Sequence, residues 1–179
     1  GISDGVFNVG DVMYDIAIHY SEKIKNDKTR QNKQNYILAT LHRAENTDNL
    51  DRLESIVEAL CELSQEIPII LPLHPRTRNI LTKLNLINNL NAVNIIEPQS
   101  YIDMIRYEQS AKVILTDSGG MQKEAFFYKV PCVTMRDETE WTETIDLKWN
   151  ILVGADKEKI IENTKNFFEA SPKILPDQP

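Results

Sequence analysis

From Tyr36 onward, short apolar runs alternate with longer stretches in which apolar residues recur every three or four positions. Runs of this length suit strands buried on both faces, and the longer spacing suits helices with one apolar stripe. The runs are Tyr36–Leu41, Pro68–Leu73, Ala92–Ile96, Lys112–Thr116, Pro131–Met135 and Ile151–Val153, which predicts six strands. Between the first two, Leu50, Leu53, Ile56, Val57, Leu60 and Leu63 share one helical face, and Asn46-Thr47-Asp48 offers capping oxygens just before them. A helix over 48–65 follows, with others expected over 76–90, 101–109, 120–128 and 156–170. Upstream, Val12, Ile16, Ile18 and Ile24 predict a short helix over 11–25, then a polar loop. Strands that alternate with helices and are buried on both faces make a parallel sheet. The expected fold is α/β: a doubly wound, Rossmann-like parallel sheet of about six strands. It occupies 36–170, with a leading helix and polar loop over 1–35 and a strap over 171–179 whose three prolines cannot continue a helix.

Composition narrows the functions open to such a domain. The 179 residues carry 20 Lys plus Arg against 27 Asp plus Glu, a net charge of -7, whereas binding to a phosphate backbone needs clustered basic surface. Nucleic acid is not an expected partner. Hydrophobic content of 41% is ordinary for a globular chain, and no apolar run approaches the roughly 20 residues that span a bilayer, so no membrane partner is expected. Cys61 and Cys132 lie far apart in apolar segments, which suits buried thiols in a reducing compartment and points to the cytoplasm. The chain opens on Gly1-Ile2-Ser3 without a basic or apolar leader and closes on Pro176-Asp177-Gln178-Pro179, and it reads as part of a longer protein.

In open parallel sheets ligands sit beyond the carboxyl ends of the strands. The residues there are His42-Arg43-Ala44-Glu45-Asn46, His74-Pro75-Arg76, Glu97-Pro98-Gln99-Ser100, Asp117-Ser118-Gly119-Gly120 and Arg136-Asp137-Glu138-Thr139-Glu140. Paired glycines after a strand let backbone N–H groups approach an anion where the helix dipole is positive. Ser118-Gly119-Gly120 therefore reads as a phosphate cradle or, equally, as a tight turn that needs positive φ. Glu124 stands one turn further along, where a carboxylate can accept from vicinal hydroxyls such as a ribose diol, or can simply be solvated. Arg136, His42 and Arg43 can each offset diphosphate charge, or serve in a rim salt bridge with Asp137 or a helix cap. Neither GxGxxG nor the Walker lysine pattern occurs, and HExxH, CxxC and GxSxG are missing, so no ordinary dinucleotide or ATP site, cofactor, zinc site or serine nucleophile is expected. Met104 reads as core, and Trp141 and Trp149 as core or lid.

Taken in order, these rim motifs resemble the C-terminal half of the non-hydrolysing UDP-N-acetylglucosamine 2-epimerase family. The resemblance rests on Val9-Gly10-Asp11-Val12-Met13-Tyr14-Asp15, His42-Arg43-Ala44-Glu45-Asn46, Leu73-His74-Pro75-Arg76, Glu97-Pro98-Gln99-Ser100-Tyr101, Thr116-Asp117-Ser118-Gly119-Gly120-Met121-Gln122-Lys123-Glu124-Ala125 and Met135-Arg136-Asp137-Glu138-Thr139-Glu140. It implies a two-domain fold similar to GT-B glycosyltransferases, with UDP held mainly by this second domain. An N-terminal domain would be missing from the chain, residues 1–35 would come from the inter-domain hinge, and the whole enzyme would be a homodimer. By motif, His42 would be the catalytic histidine, Gln99 and Met104 would hold uracil, Ser118, Gly119 and Gly120 the diphosphate, and Glu124 the ribose hydroxyls.

The implied chemistry is inversion at C2 of a UDP-2-acetamido sugar by elimination and re-addition of UDP, as in polysaccharide biosynthesis. Common members continue the last motif as Thr-Glu-Arg-Pro-Glu, the arginine reaching the nucleotide, whereas this chain reads Thr139-Glu140-Trp141-Thr142-Glu143. That form is similar to the branch acting on UDP-2,3-diacetamido uronic acids, and Arg136 would partly replace the lost arginine. The competing readings are the C-terminal domain of a GT-B glycosyltransferase and a non-catalytic nucleotide-binding α/β module. Half a cleft would bind without turning over, so the isolated chain is expected to be inactive.

Overall fold

The computed structural model describes residues 4–7, 9–25 and 35–170. Six strands form one sheet: β1 (Ile37–Thr40), β2 (Ile69–Pro72), β3 (Asn94–Ile96), β4 (Val113–Thr116), β5 (Cys132–Thr134) and β6 (Asn150–Leu152). Their order is β3-β2-β1-β4-β5-β6, and every neighbouring pair is parallel. All six expected strands are present, the first five shorter than their apolar runs and the sixth shifted back by one residue. The strap over 171–179 and most of the polar loop lie outside the described residues.

The helices are α1 (Val12–Lys25), α2 (Ala44–Thr47), α3 (Leu50–Ser64), α4 (Pro75–Lys83), α5 (Tyr101–Ser110), α6 (Gly119–Phe127), α7 (Thr142–Asp146) and α8 (Lys157–Glu169). Strand side chains alternate between two apolar layers. Ile37, Ala39, Leu71, Val113, Leu115 and Val133 meet α3 and α8 through Leu53, Leu60, Leu63 and Ile160. Leu38, Ile114 and Cys132 meet α6 through Met121 and Ala125, with Met104 and Tyr107 of α5 packed alongside. The central strands β1, β4 and β5 are buried along their whole length, which explains why they read as continuous apolar runs.

Helix ends follow the capping residues. Asn49 caps α3 by accepting from the Arg52 N–H at 3.2 Å, and Ser100 caps α5 by accepting from the Asp103 N–H at 3.2 Å. The helix expected over 76–90 stops at Lys83, because Asn85 takes a left-handed φ of 58°, and a 3-10 turn over Ile87–Leu90 completes the segment. The short helices α2 and α7 have too few residues to show a period, and the hydrophobic pattern does not predict them.

Leu60 is fully buried between α3 and the sheet. Leu60→Ala should cost about 2–5 kcal/mol, read as a fall in urea midpoint at constant m-value.

Candidate functional site

The order β3-β2-β1-β4-β5-β6 places the topological switch point between β1 and β4, the two strands whose following loops carry His42-Arg43 and Asp117-Ser118-Gly119-Gly120. The strands run in register, Thr40 beside Thr116, and their hydroxyls meet at 2.6 Å. Directly beyond, the fully buried Asp117 carboxylate accepts from the backbone N–H groups of His42 at 3.0 Å and Arg43 at 2.9 Å, and from Asn46 Nδ2 at 3.3 Å. Asn46 also donates to the Met135 carbonyl at 2.9 Å, so one carboxylate organises the loops after β1, β4 and β5. Its other oxygen lies 3.4 Å from His42 Nδ1, whose ring keeps 44% of its surface exposed. The sequence pattern marks Asp117 only as part of the glycine turn. A carboxylate straight after a central strand was the signal available.

The chain then turns into α6. Ser118 is the N-cap, its Oγ accepting from the Met121 N–H at 3.5 Å. Gly119 and Gly120 are the first helical residues, and neither has positive φ, so the left-handed-turn explanation of the pair does not hold. What Gly119 provides is close approach: a Cβ there would stand 2.7 Å from Glu140 Oε1 and 3.4 Å from Arg43 Nη2. At Gly120 a Cβ would meet only ordinary contacts, Met13 Cε at 3.8 Å and Ser118 Oγ at 3.9 Å. A helix N-terminus with unpaired N–H groups and a guanidinium beside it suits an anion, and here the Glu140 carboxylate lies over Gly119.

Arg136 is nine-tenths buried and donates through Nη1 to Glu140 Oε2 at 2.8 Å, so it reaches the turn only through Glu140. Its expected partner Asp137 bonds Arg52 instead, at 2.8 Å. Arg52, Arg136, Asp137, Gly154, Asp156 and Lys159 line a cleft of about 440 Å³ beyond β5 and β6. The Glu140 carboxyl is held below the usual range, first by its own backbone N–H and then by the Arg136 guanidinium.

Glu124 is half-buried on α6. Burial raises its carboxyl above an ordinary glutamate, and a hydrogen bond with the Tyr101 hydroxyl of α5 opposes that rise. One turn along α5 from Ile105, Glu108 is 2% exposed, and burial followed by the Glu124 charge lifts its carboxyl well above the usual range. Met104 packs into the apolar layer under α6, as the core reading expects, and Gln99 donates to the Glu97 carbonyl at 2.6 Å. His74 caps α4, its Nδ1 accepting from the Arg76 N–H at 3.2 Å. Cys132 is buried and its thiol is pushed up to about 12 by burial, while Cys61 is half-buried, and both are free. Among the described residues no group of His, Cys, Asp and Glu suits a metal ion, and no helix is long and apolar enough to cross a membrane.

A doubly wound sheet with a glycine turn at its switch point defines the nucleotide-binding class of α/β domain. The chain belongs to the UDP-N-acetylglucosamine 2-epimerase family, whose model matches residues 1–176. A UDP-N-acetylglucosamine 2-epimerase homolog of Methanococcus maripaludis is 51% identical over 96% of this chain and 50% of that protein. The UDP-2,3-diacetamido-2,3-dideoxy-D-glucuronate 2-epimerase of Pseudomonas aeruginosa is 48% identical over 89% of this chain and 45% of that protein. The crystal structure of Methanocaldococcus jannaschii UDP-GlcNAc 2-epimerase in complex with UDP-GlcNAc and UDP superposes with a TM-score of 0.86 at 38% identity, covering 96% of this chain and 51% of that one. The GT-B-like architecture extends to an E. coli heptosyltransferase, at a TM-score of 0.54 and 19% identity over 86% of this chain and 47% of that one, a likeness of fold alone. The chain thus spans about half the length of the curated relatives it matches.

The buried carboxyls make the site sensitive to substitution and to pH. Asp117→Ala strands two backbone N–H groups and the buried Asn46 amide, and should cost roughly 3 kcal/mol in denaturant titration. Glu108 and Glu124 bind protons in the fold at a pH where the unfolded chain, titrating near 4.5, has released them. Stability should therefore fall as pH rises from 4.5 through their raised values, and Glu108→Gln should flatten that slope in a series of thermal melts.

Proposed function

We propose that this chain is the UDP-binding C-terminal domain of a UDP-N-acetylglucosamine 2-epimerase-like enzyme that inverts C2 of a UDP-2-acetamido sugar. The observation that carries the reading is the switch-point turn, where the glycine-built first turn of α6 lies beside Arg43 with Glu124 one helical turn beyond. A relative 38% identical is described in complex with UDP-GlcNAc and UDP, which supports it.

In this reading Ser118, Gly119 and Gly120 receive the pyrophosphate, Glu124 accepts from the ribose hydroxyls, and Gln99 and Met104 border the uracil. Arg43 supplies cationic charge directly, and Arg136 supplies it once Glu140 gives way to the pyrophosphate. C2 has no neighbouring carbonyl to acidify its hydrogen. A carboxylate of the remaining half removes the C2 proton as the bond between C1 and the UDP oxygen breaks, leaving a glycal. Protonation of C2 on the opposite face, with return of the UDP oxygen to C1, gives the epimer. Charge grows on the leaving pyrophosphate, so N–H dipoles fixed at the α6 turn stabilise the transition state more than the ground state. In the same reading His42, held by Asp117 and partly exposed, is the residue that contacts the sugar. The nucleotide-binding domain is 36–170, the segment before it belongs to the hinge, and the whole enzyme works as a homodimer in the cytoplasm. The P. aeruginosa relative and Trp141 favour a diacetamido uronate as substrate.

Calorimetric titration with UDP tests this. Ser118→Ala and Glu124→Ala should each weaken binding by about tenfold, and the chain alone should show no exchange of a substrate C2 proton with solvent. Unchanged binding in both variants would overturn the site.

A further inference from the structure

If the α6 turn is to hold a pyrophosphate it must keep its shape, and the residues that form it are the least able to do so unaided. The peptide between Gly119 and Gly120 rotates about one torsion of each glycine, the softest pair a chain can offer. Each glycine also costs a helix about 1 kcal/mol relative to alanine, and both fall in the first turn, where helices fray. Something outside the helix has to pin that peptide.

We propose that Trp141 is a positioning residue for the pyrophosphate: its indole N–H, bonded to the Gly119 carbonyl at 2.8 Å, locks the Gly119–Gly120 peptide so that the Gly120 N–H stays aimed out of the turn. This role rests on UDP binding at the α6 turn. A peptide is planar, so fixing its C=O fixes the N–H on its opposite edge. The Gly119 carbonyl has two lone pairs, one for the helix ladder and one for the indole. Trp141 in turn is held by its backbone and by its ring. Its backbone N–H bonds Thr139 Oγ1 at 3.1 Å, and Thr139 donates to Gln122 Oε1 on α6 at 2.7 Å. The Lys123 ammonium lies 4.0 Å from the centre of its ring and pairs with Asp11, which itself caps α1 by accepting from the Met13 N–H at 2.9 Å. The indole N–H is spent on Gly119, so Trp141 acts on an anion through the peptide and not by touching it.

The test compares UDP with uridine by calorimetry in the parent chain, Trp141→Phe and Lys123→Met, alongside hydrogen exchange at the Gly120 amide followed by NMR. Trp141→Phe keeps an aromatic ring and removes the N–H. It should weaken UDP by about fivefold, leave uridine unchanged and speed Gly120 exchange. Lys123→Met keeps the N–H but frees the ring, and should shift both readouts the same way by less; it stands in if Trp141→Phe fails to fold. UDP affinity and Gly120 exchange both at parental values would overturn the proposal, as would an equal loss of UDP and uridine. A parent chain that binds UDP no better than uridine would instead overturn the pyrophosphate reading itself, and the positioning role of Trp141 with it.

Discussion

One buried carboxylate holds the functional end of this domain together. Where β1 and β4 diverge into their loops, the backbone N–H groups of His42 and Arg43 leave the sheet without ladder partners, and Asp117 supplies the acceptor for both. Asn46 carries the same tie across to the end of β5. Because buried polar groups must be paired, this single side chain couples the start of α2, the start of α6 and the loop that brings Arg136 and Glu140 alongside.

The region beyond it gathers elements that cost stability. Gly119 and Gly120 weaken the start of α6, and Glu108 and Glu124 are acids kept in places that favour their neutral forms. Such arrangements are characteristic of sites, where a fold gives up stability for placement. The supporting contacts, Thr139 with Gln122, Trp141 with Gly119 and Lys123 with Asp11, surround the turn and limit that loss.

Much of this architecture is legible in the chain itself, for definite reasons. The strands show because β1, β4 and β5 are buried on both faces and so are apolar throughout. Helix α3 shows because its inward face repeats over four turns. The break after Lys83 does not, since an asparagine in left-handed conformation at position 85 leaves no mark on the hydrophobic pattern. Ser118, Gly119, Gly120 and Glu124 stand out because ligands of a parallel sheet gather at the carboxyl ends of its strands, and the structure keeps the first three at the start of α6 with Glu124 one turn further along. The partners of Arg136 and the contact of Trp141 join loops and helices that meet only in the folded chain, and pairings of that kind follow from topology, not from spacing.

Glu140 sits over Gly119 between two guanidinium groups, bonded to Arg136 and near Arg43. The turn therefore carries its own counter-ion. An arriving anion would trade places with a tethered carboxylate instead of meeting bare positive charge. That carboxylate would blunt the long-range pull of the two guanidinium groups, and leave discrimination more to the shape of the turn.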